Sequence, residues 1–382
     1  MRVAFAMINC NRRDGSARAV NEVVERLARR GHQVSLFARE AEDLDLSLVR
    51  WHRIPGPHWP EVADFWTYHQ IVNRRLRNGE FDIIHSIGCN TLRANVVTIQ
   101  NIQPAKEKIL SRFQKAEAVS WPRRFTRWLY LRVTSRAERQ LYQKKPGVRP
   151  PVFLPVSRGV EAELRAHYAI GEAVVRIVPN AADTGVFHPL PEHARRAWRL
   201  ANGLGEKDVL AIFSGGEWAR KGLDLAIQAL ERLPVPTLKL FVAGDDPDRN
   251  RFKAMTERAG LAGRVIFGGF RSDIAEAMAS SDLFLFPSHY EAFSLATLEA
   301  AACGLPLVVS RINGAEDFVR PGWNGVFIGQ DPEEIAGVLR PLVESAETRR
   351  VLGSHAVELV RQDYTWDRVT ELTEAAYREA AS

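Results

Sequence analysis

Twice along this chain, short runs of β-branched and aromatic residues alternate with amphipathic stretches of helical period, and that alternation restricts the fold more than any other feature. In the first pass, residues 3–8 read as a strand and a polar loop carries Asp14 and Gly15. A helix follows with Val20, Val23, Val24 and Leu27 on one face, and Gly31-His32 leads into a second strand at 34–37. Further strands are expected at 81–85, 96–99, 152–156 and 174–178. Proline then accumulates through Pro179-Asn180-Ala181-Ala182-Asp183 and Phe187-His188-Pro189-Leu190-Pro191, a composition typical of a linker. The alternation restarts with strands at 209–213, 238–243, 265–267, 283–286 and 306–309, separated by helices at 223–233, 251–259, 274–279 and 295–302. Parallel neighbours need a crossover, which the intervening helices supply. The expected fold class is α/β, with two doubly wound Rossmann-like parallel-sheet domains facing a central cleft. Their expected bounds are 1–185 and 186–365, with a C-terminal helix over 366–382 packing back on the first.

At 382 residues, each half is long enough to bury its own core. No run reaches the ~18 apolar residues of a spanning helix, and the N-terminal MRVAFAMINCNRR turns polar too soon for a signal peptide, so a cytoplasmic protein is expected. Cys10, Cys89 and Cys303 are few and far apart, which reads as buried small residues or bystanders rather than a disulfide framework. Neither HExxH nor an acidic calcium loop is present, so no metal is expected. The Asp246-Pro247-Asp248 triplet is similar to acidic motifs that hold metal–nucleotide complexes, but its place after a strand reads as a polar turn.

The net charge of +6 is unevenly spread. Residues 106–145 hold twelve basic side chains against Glu107, Glu117 and Glu138, a local +9 that leaves the rest of the chain net acidic. Phe113, Trp121, Phe125, Trp128, Tyr130 and Tyr142 are interleaved with these cations. Each cation is worth roughly 1 kcal/mol near an anionic lipid surface, and tryptophan suits the interfacial layer. The expectation is a helical segment that meets an anionic membrane and recognises a lipid-linked acceptor; no nucleic-acid motif accompanies the charge.

Two loops carry the chemistry. Phe213-Ser214-Gly215-Gly216-Glu217-Trp218-Ala219-Arg220-Lys221-Gly222 lies between a strand and an amphipathic helix. Its glycines admit a ligand close to the backbone, and Arg220 and Lys221 offer charge-assisted bonds to phosphate oxygens. The spacing is not that of a Walker loop. The second loop, His289-Tyr290-Glu291-Ala292-Phe293-Ser294, follows an apolar strand, and Ser294 is suited to cap a helix whose N–H groups would attract an anion. Glu291 in that loop and Glu299 in the helix are placed to accept hydrogen bonds from sugar and ribose hydroxyls.

Glu291-x7-Glu299 and the trailing Ala300-Ala301-Ala302-Cys303-Gly304-Leu305-Pro306-Leu307-Val308 resemble the E-x7-E signature of retaining GT-B glycosyltransferases of family 4. Arg220-Lys221-Gly222, Ala243-Gly244, Gly268-Gly269-Phe270, Pro287-Ser288 and Asn324-Gly325 follow the family's order. Asp14-Gly15-Ser16-Ala17-Arg18 and Arg30-Gly31-His32-Gln33-Val34 are similar to its first-domain segments. Within the family, the Arg-Lys pair and Thr134-Ser135-Arg136 look closest to lipopolysaccharide core glucosyltransferases.

The resemblance implies that Arg220 and Lys221 hold the donor diphosphate, that Glu299 binds ribose, and that Glu291 lies beside the anomeric carbon. It further implies that Ala292, Phe293, Ser294 and Leu295 contact sugar and phosphate, with Gly15 and Arg18 closing over the donor. It implies a UDP-sugar co-substrate, a hexose moved with retention to a saccharide or lipid-linked acceptor, and no metal. The chain departs from the family at Glu291-Ala292-Phe293-Ser294, where glycines are common, and at Thr98-Ile99-Gln100-Asn101, where many members carry a histidine. Gln100 or Asn101 can still bond a sugar; neither acts as a base at neutral pH. His85, close by, reads as structural. A sugar-nucleotide 2-epimerase, a transferase acting on a small soluble acceptor and a non-enzymatic sensor are the alternatives.

Overall fold

The computed structural model describes residues 1–11, 15–42, 44–76, 79–114, 121–143 and 145–382, apart from the side chains of Ser16, Leu110, Arg112, Phe113, Gln114, Pro122 and Arg123. Asp14, expected in the glycine loop, lies outside them. The chain divides into two compact units, one formed by 1–180 together with 366–382 and the other by 181–365. The division falls at Asn180/Ala181 rather than at 185/186.

The sheet of the first unit contains β1 (Arg2–Ala6), β2 (Gln33–Ala38), β3 (Val49–Arg53), β4 (Ile83–Ile87), β5 (Val96–Ile99) and β6 (Val152–Pro155), all parallel, in the order β3-β2-β1-β4-β5-β6. Val3 stands opposite both Val34 and Ile83, so the central strand is covered on both edges. Helices α1 (Gly15–Arg29), α2 (Glu61–Arg75), α3 (Gln103–Gln114), α4 (Trp121–Tyr142) and α5 (Arg158–His167) belong to this unit, and the chain's last helix, α14 (Trp366–Ala381), packs against α1. Arg30 and His32 reach Glu374 of α14 at 3.1 Å each, and Trp366, Val369 and Tyr377 are buried.

One expected strand is absent, and two elements of this unit had no expectation in the sequence. The segment 174–178 makes a single bridge, Val175 to Phe153, instead of a strand. It reaches that edge through alternate residues and then meets Pro179, which has no N–H to extend a ladder. β3 went unread because only Val49 of Val-Arg-Trp-His-Arg is buried, the pattern of an edge strand. α2, opening on Glu61 after Pro60, also went unread, although Phe65, Tyr68, His69 and Val72 give it a buried face.

The second unit repeats the plan. Helix α6 (Glu192–Ala201) precedes a parallel sheet of β7 (Val209–Ser214), β8 (Leu238–Ala243), β9 (Val265–Gly269), β10 (Leu283–Phe286), β11 (Leu307–Ser310) and β12 (Gly325–Ile328), ordered β9-β8-β7-β10-β11-β12. Its other helices are α7 (Leu223–Arg232), α8 (Arg249–Arg258), α9 (Ile274–Ala279), α10 (Leu295–Ala302), α11 (Ala315–Phe318), α12 (Pro332–Glu344) and α13 (Ala346–Asp363). Every residue of β7, β10 and β11 is buried, as a sheet covered on both faces requires.

In the first unit a buried carboxyl ties three elements. Glu138 of α4 accepts from the Gln103 backbone N–H at the start of α3 (3.3 and 3.2 Å) and from the Tyr168 hydroxyl after α5 (2.7 Å). Burial pushes its pKa up to about 7, against the pull of those hydrogen bonds and Lys106. A folded pKa above the unfolded value means that this contribution to stability is complete below the ordinary glutamate pKa and is lost as pH rises through about 7. The melting temperature of Glu138→Gln, relative to wild type, is therefore expected to climb between about pH 5 and pH 8. A difference that stays flat with pH would contradict this.

Candidate functional site

Strand β7 hands the chain to α7 and then β8 on one side, while its neighbour β10 leads through α10 to β11 on the other. Loops at the carboxyl ends of such adjacent, diverging strands leave a crevice, the usual ligand position in doubly wound sheets. Here those loops are 215–222 and 287–294, the two that the sequence singled out.

They touch through backbone. Gly222 has φ +76°, and a Cβ there would lie 2.1 Å from the Pro287 carbonyl oxygen, so glycine is required both by conformation and by space. The His289 N–H donates to the Arg220 carbonyl at 3.0 Å, and the Ser288 hydroxyl lies 3.5 Å from the same oxygen. A peg holds the first loop from below. Trp218 is fully buried, its indole N–H donates to the Gly215 carbonyl (2.9 Å), its backbone N–H donates to the Asp246 carboxylate (2.9 Å), and its ring meets Phe252 and Phe267. Asp246 also accepts from the Asp248 N–H at 2.8 Å, so the acidic triplet is a turn that anchors the glycine loop. Among the described residues no cluster of three or more His, Cys, Asp or Glu side chains has metal-ligand geometry.

This frame brings Arg220, Lys221 and Glu291 together. The Arg220 guanidinium donates to Glu291 Oε1 (3.0 Å), to the Tyr290 carbonyl, and through Nη2 and Nε to Glu217 (2.6 and 3.1 Å). Burial alone would lower its pKa, but Glu291 and Glu217 outweigh burial and hold it above the ordinary arginine value. Lys221 Nζ stands 3.8 Å from Glu291 Oε1 and 5.1 Å from the centroid of the Phe286 ring, and among the described residues its ammonium makes no hydrogen bond. The two cations thus differ: Arg220 is clamped, whereas Lys221 has donors to offer. His289, half-buried two residues before Glu291, is held below the usual histidine pKa by burial, against the pull of Asp224 and a hydrogen bond with Gln330.

Ser294 caps α10, its hydroxyl accepting from the Thr297 N–H at 3.2 Å, so Ala292, Phe293, Ser294 and Leu295 form the approach to that helix's positive end. Phe293 is buried, wedged beneath Gly314, where a Cβ would fall 2.7 Å from its Cα. Glu299 lies one turn inside α10 and is 6% exposed. Gly15 and Arg18 belong to the first unit, where Gly15 opens α1 and Arg18 is half-buried. His85 has both ring nitrogens engaged inside that unit, with the Tyr377 hydroxyl (2.8 Å) and Thr98 Oγ1 (2.7 Å), and burial drives its pKa down to about 3. It is a neutral tie between the sheet and α14. Gln100 and Asn101 follow β5 half-buried. All three cysteines are free and buried, and burial raises each thiol's pKa.

Glu217 and Trp218 went unread as site residues. A lone tryptophan inside a glycine-rich polar loop was the available signal, since such a ring must find a core to sit in.

Residues 194–358 match the family model described as glycosyl transferases group 1, and residues 13–186 that described as glycosyltransferase family 4. The chain is 30% identical over 202 residues to the lipopolysaccharide glucosyltransferase WaaG of Escherichia coli K12, across 51% of this chain and 54% of that protein. It thus spans about half the length of the curated relatives it matches. The crystal structure of WaaG, a glycosyltransferase involved in lipopolysaccharide biosynthesis, is similar with TM-score 0.79 and 23% identity, covering 98% of both chains. Anabaena Alr3699/HepE in complex with UDP and glucose is similar with TM-score 0.73 and 19% identity, covering 99% of this chain and 100% of that one. At those identities the two structures speak to fold.

The backbone contact can be isolated by substitution. Gly203 has nearly the same conformation (φ +72°) with nothing within 4 Å of a Cβ. Gly203→Ala is expected to cost about 1 kcal/mol by urea unfolding, and Gly222→Ala at least ~2 kcal/mol more. Equal costs would mean that the Pro287 contact is not obligatory.

Proposed function

Because this chain belongs to the family 4 glycosyltransferases and has their GT-B fold, we propose that it transfers a hexose, with retention, from UDP-glucose or a closely related UDP-hexose to a lipid-linked or cell-envelope saccharide such as lipopolysaccharide core. The observation that carries this reading is the meeting of Arg220, Lys221 and Glu291 where the loops leaving β7 and β10 converge beside the N-terminus of α10. The likeness to a named lipopolysaccharide glucosyltransferase supports the acceptor class, and the UDP and glucose of the Anabaena complex support the donor.

In this reading the diphosphate lies across the Lys221 ammonium and the end of α10. As the bond between the anomeric carbon and the diphosphate oxygen lengthens, negative charge gathers on the leaving group, and fixed cations and helix N–H groups stabilise it without reorganising. Arg220 is already oriented by its two carboxylates, so its field is present before the reaction begins. Glu299 accepts from the ribose hydroxyls and Glu291 from a sugar hydroxyl. The acceptor oxygen attacks from the face the leaving group departs, and its proton passes to the departing phosphate oxygen. These cations and the helix end meet the leaving-group charge with no metal ion required.

The same reading puts 106–145 against the inner face of an anionic membrane. Trp121, Phe125 and Trp128 are 76%, 47% and 49% exposed on α4 and stack side by side, a contiguous apolar patch of the kind that marks an interaction surface. Among the described residues no helix is long and apolar enough to cross a membrane.

Mass spectrometry of donor turnover across a panel of nucleotide sugars tests the transferase. One UDP-hexose is expected to be consumed selectively, with Lys221→Ala lowering kcat about 10²–10³-fold and Glu299→Gln raising KM for the donor. Turnover indifferent to both substitutions would remove the site from this account, and interconversion of the donor without an acceptor would favour the epimerase.

A further inference from the structure

Helix α4 carries two kinds of surface. Toward its N-terminus the rings of Trp121, Phe125 and Trp128 stack along the outside, with centroids 5.7 and 5.9 Å apart. Toward its C-terminus Arg132, Arg136 and Arg139 follow one another at helical spacing and, with Lys145, Trp128 and Glu107 of α3, line a concave groove. The Arg132 guanidinium lies 5.0 Å from the centroid of the Trp128 ring, which joins the two surfaces.

Among the described residues none of these four cations is paired with a carboxylate, and Glu107 is the one acid in the lining. Arg132 and Arg136 stand four residues apart on one helix and repel each other, and within the lining Glu107 and the Trp128 ring offset that repulsion only in part. A ligand that gathers several cations at once offsets the rest. We propose that this groove is a binding site for a phosphate monoester carried at a membrane surface.

The monoester is favoured over a general anionic surface by the groove's shape. A layer of phosphodiesters, each with one charge, is met equally well by cations anywhere on the outside of a helix, such as the exposed Arg124. A monoester carries close to two charges and three acceptor oxygens, which several guanidinium forks lining one groove satisfy by paired, directional hydrogen bonds. Ser135 and Gln143 in the lining add neutral donors. The membrane as carrier rests on the reading of 106–145 given above; occupation of the groove does not depend on sugar transfer.

The test uses the full chain and phosphatidylcholine vesicles containing either phosphatidic acid, a monoester, or phosphatidylglycerol, a diester, matched in surface potential. Wild type is expected to bind the phosphatidic acid vesicles about tenfold more tightly. R136Q/R139Q is expected to lower that affinity to the phosphatidylglycerol level, and E107Q to widen the preference. W121A/F125A should weaken both lipids by the same factor and leave the ratio intact. Equal affinity of wild type for the two lipids, or an equal loss on both in R136Q/R139Q, overturns the proposal. Inorganic phosphate binding as tightly as the phosphatidic acid vesicles would overturn the membrane carrier and leave a free-phosphate site. A protein that turned over no sugar donor would still show the lipid preference, so failure of the transferase reading is told apart from failure of this one.

Discussion

Where Gly222 meets the Pro287 carbonyl, two loops that leave the sheet in opposite directions are held in backbone contact, and the rest of the site hangs from that contact. It allows the His289 N–H to reach the Arg220 carbonyl, which fixes the direction of the Arg220 side chain toward Tyr290 and Glu291. Trp218 and Asp246 support the same loop from the core side. A residue with a side chain at 222 would push the loops apart and separate the cations from the start of α10.

The electrostatics follow from that geometry. One arginine is bound by two carboxylates, so burial does not threaten its charge, and it is fixed before any ligand arrives. Its neighbour Lys221 rests over an aromatic face, and among the described residues its ammonium makes no hydrogen bond. A clamped cation beside an available one suits a reaction in which a diphosphate must first be recognised and then accept an electron pair.

Much of this was legible in the sequence because the fold rests on short-range patterns. The strands β7, β8, β10 and β11 are apolar but for Ser214, Lys239 and Ser310, the helices between them are amphipathic, and Ser294 has the side chain an N-cap requires. What escaped depended on residues distant in sequence. The edge strand β3 has one buried residue, too few for a period to register. The role of Trp218 appears only when Phe252 and Phe267 surround it, and Glu217 looks like a surface charge until Arg220 folds onto it. His85 offered no local sign of its partner, because the Tyr377 hydroxyl arrives from the far end of the chain.

The central claim is that the loops leaving β7 and β10 recognise a nucleoside diphosphate through Lys221. Calorimetric titration of wild type and Lys221→Ala with UDP, UMP and uridine measures this directly. The account predicts that wild type prefers UDP to UMP by roughly tenfold or more and that Lys221→Ala loses most of that preference while still binding UMP. A wild type that binds UDP and UMP alike, or a preference that survives the substitution intact, would contradict it.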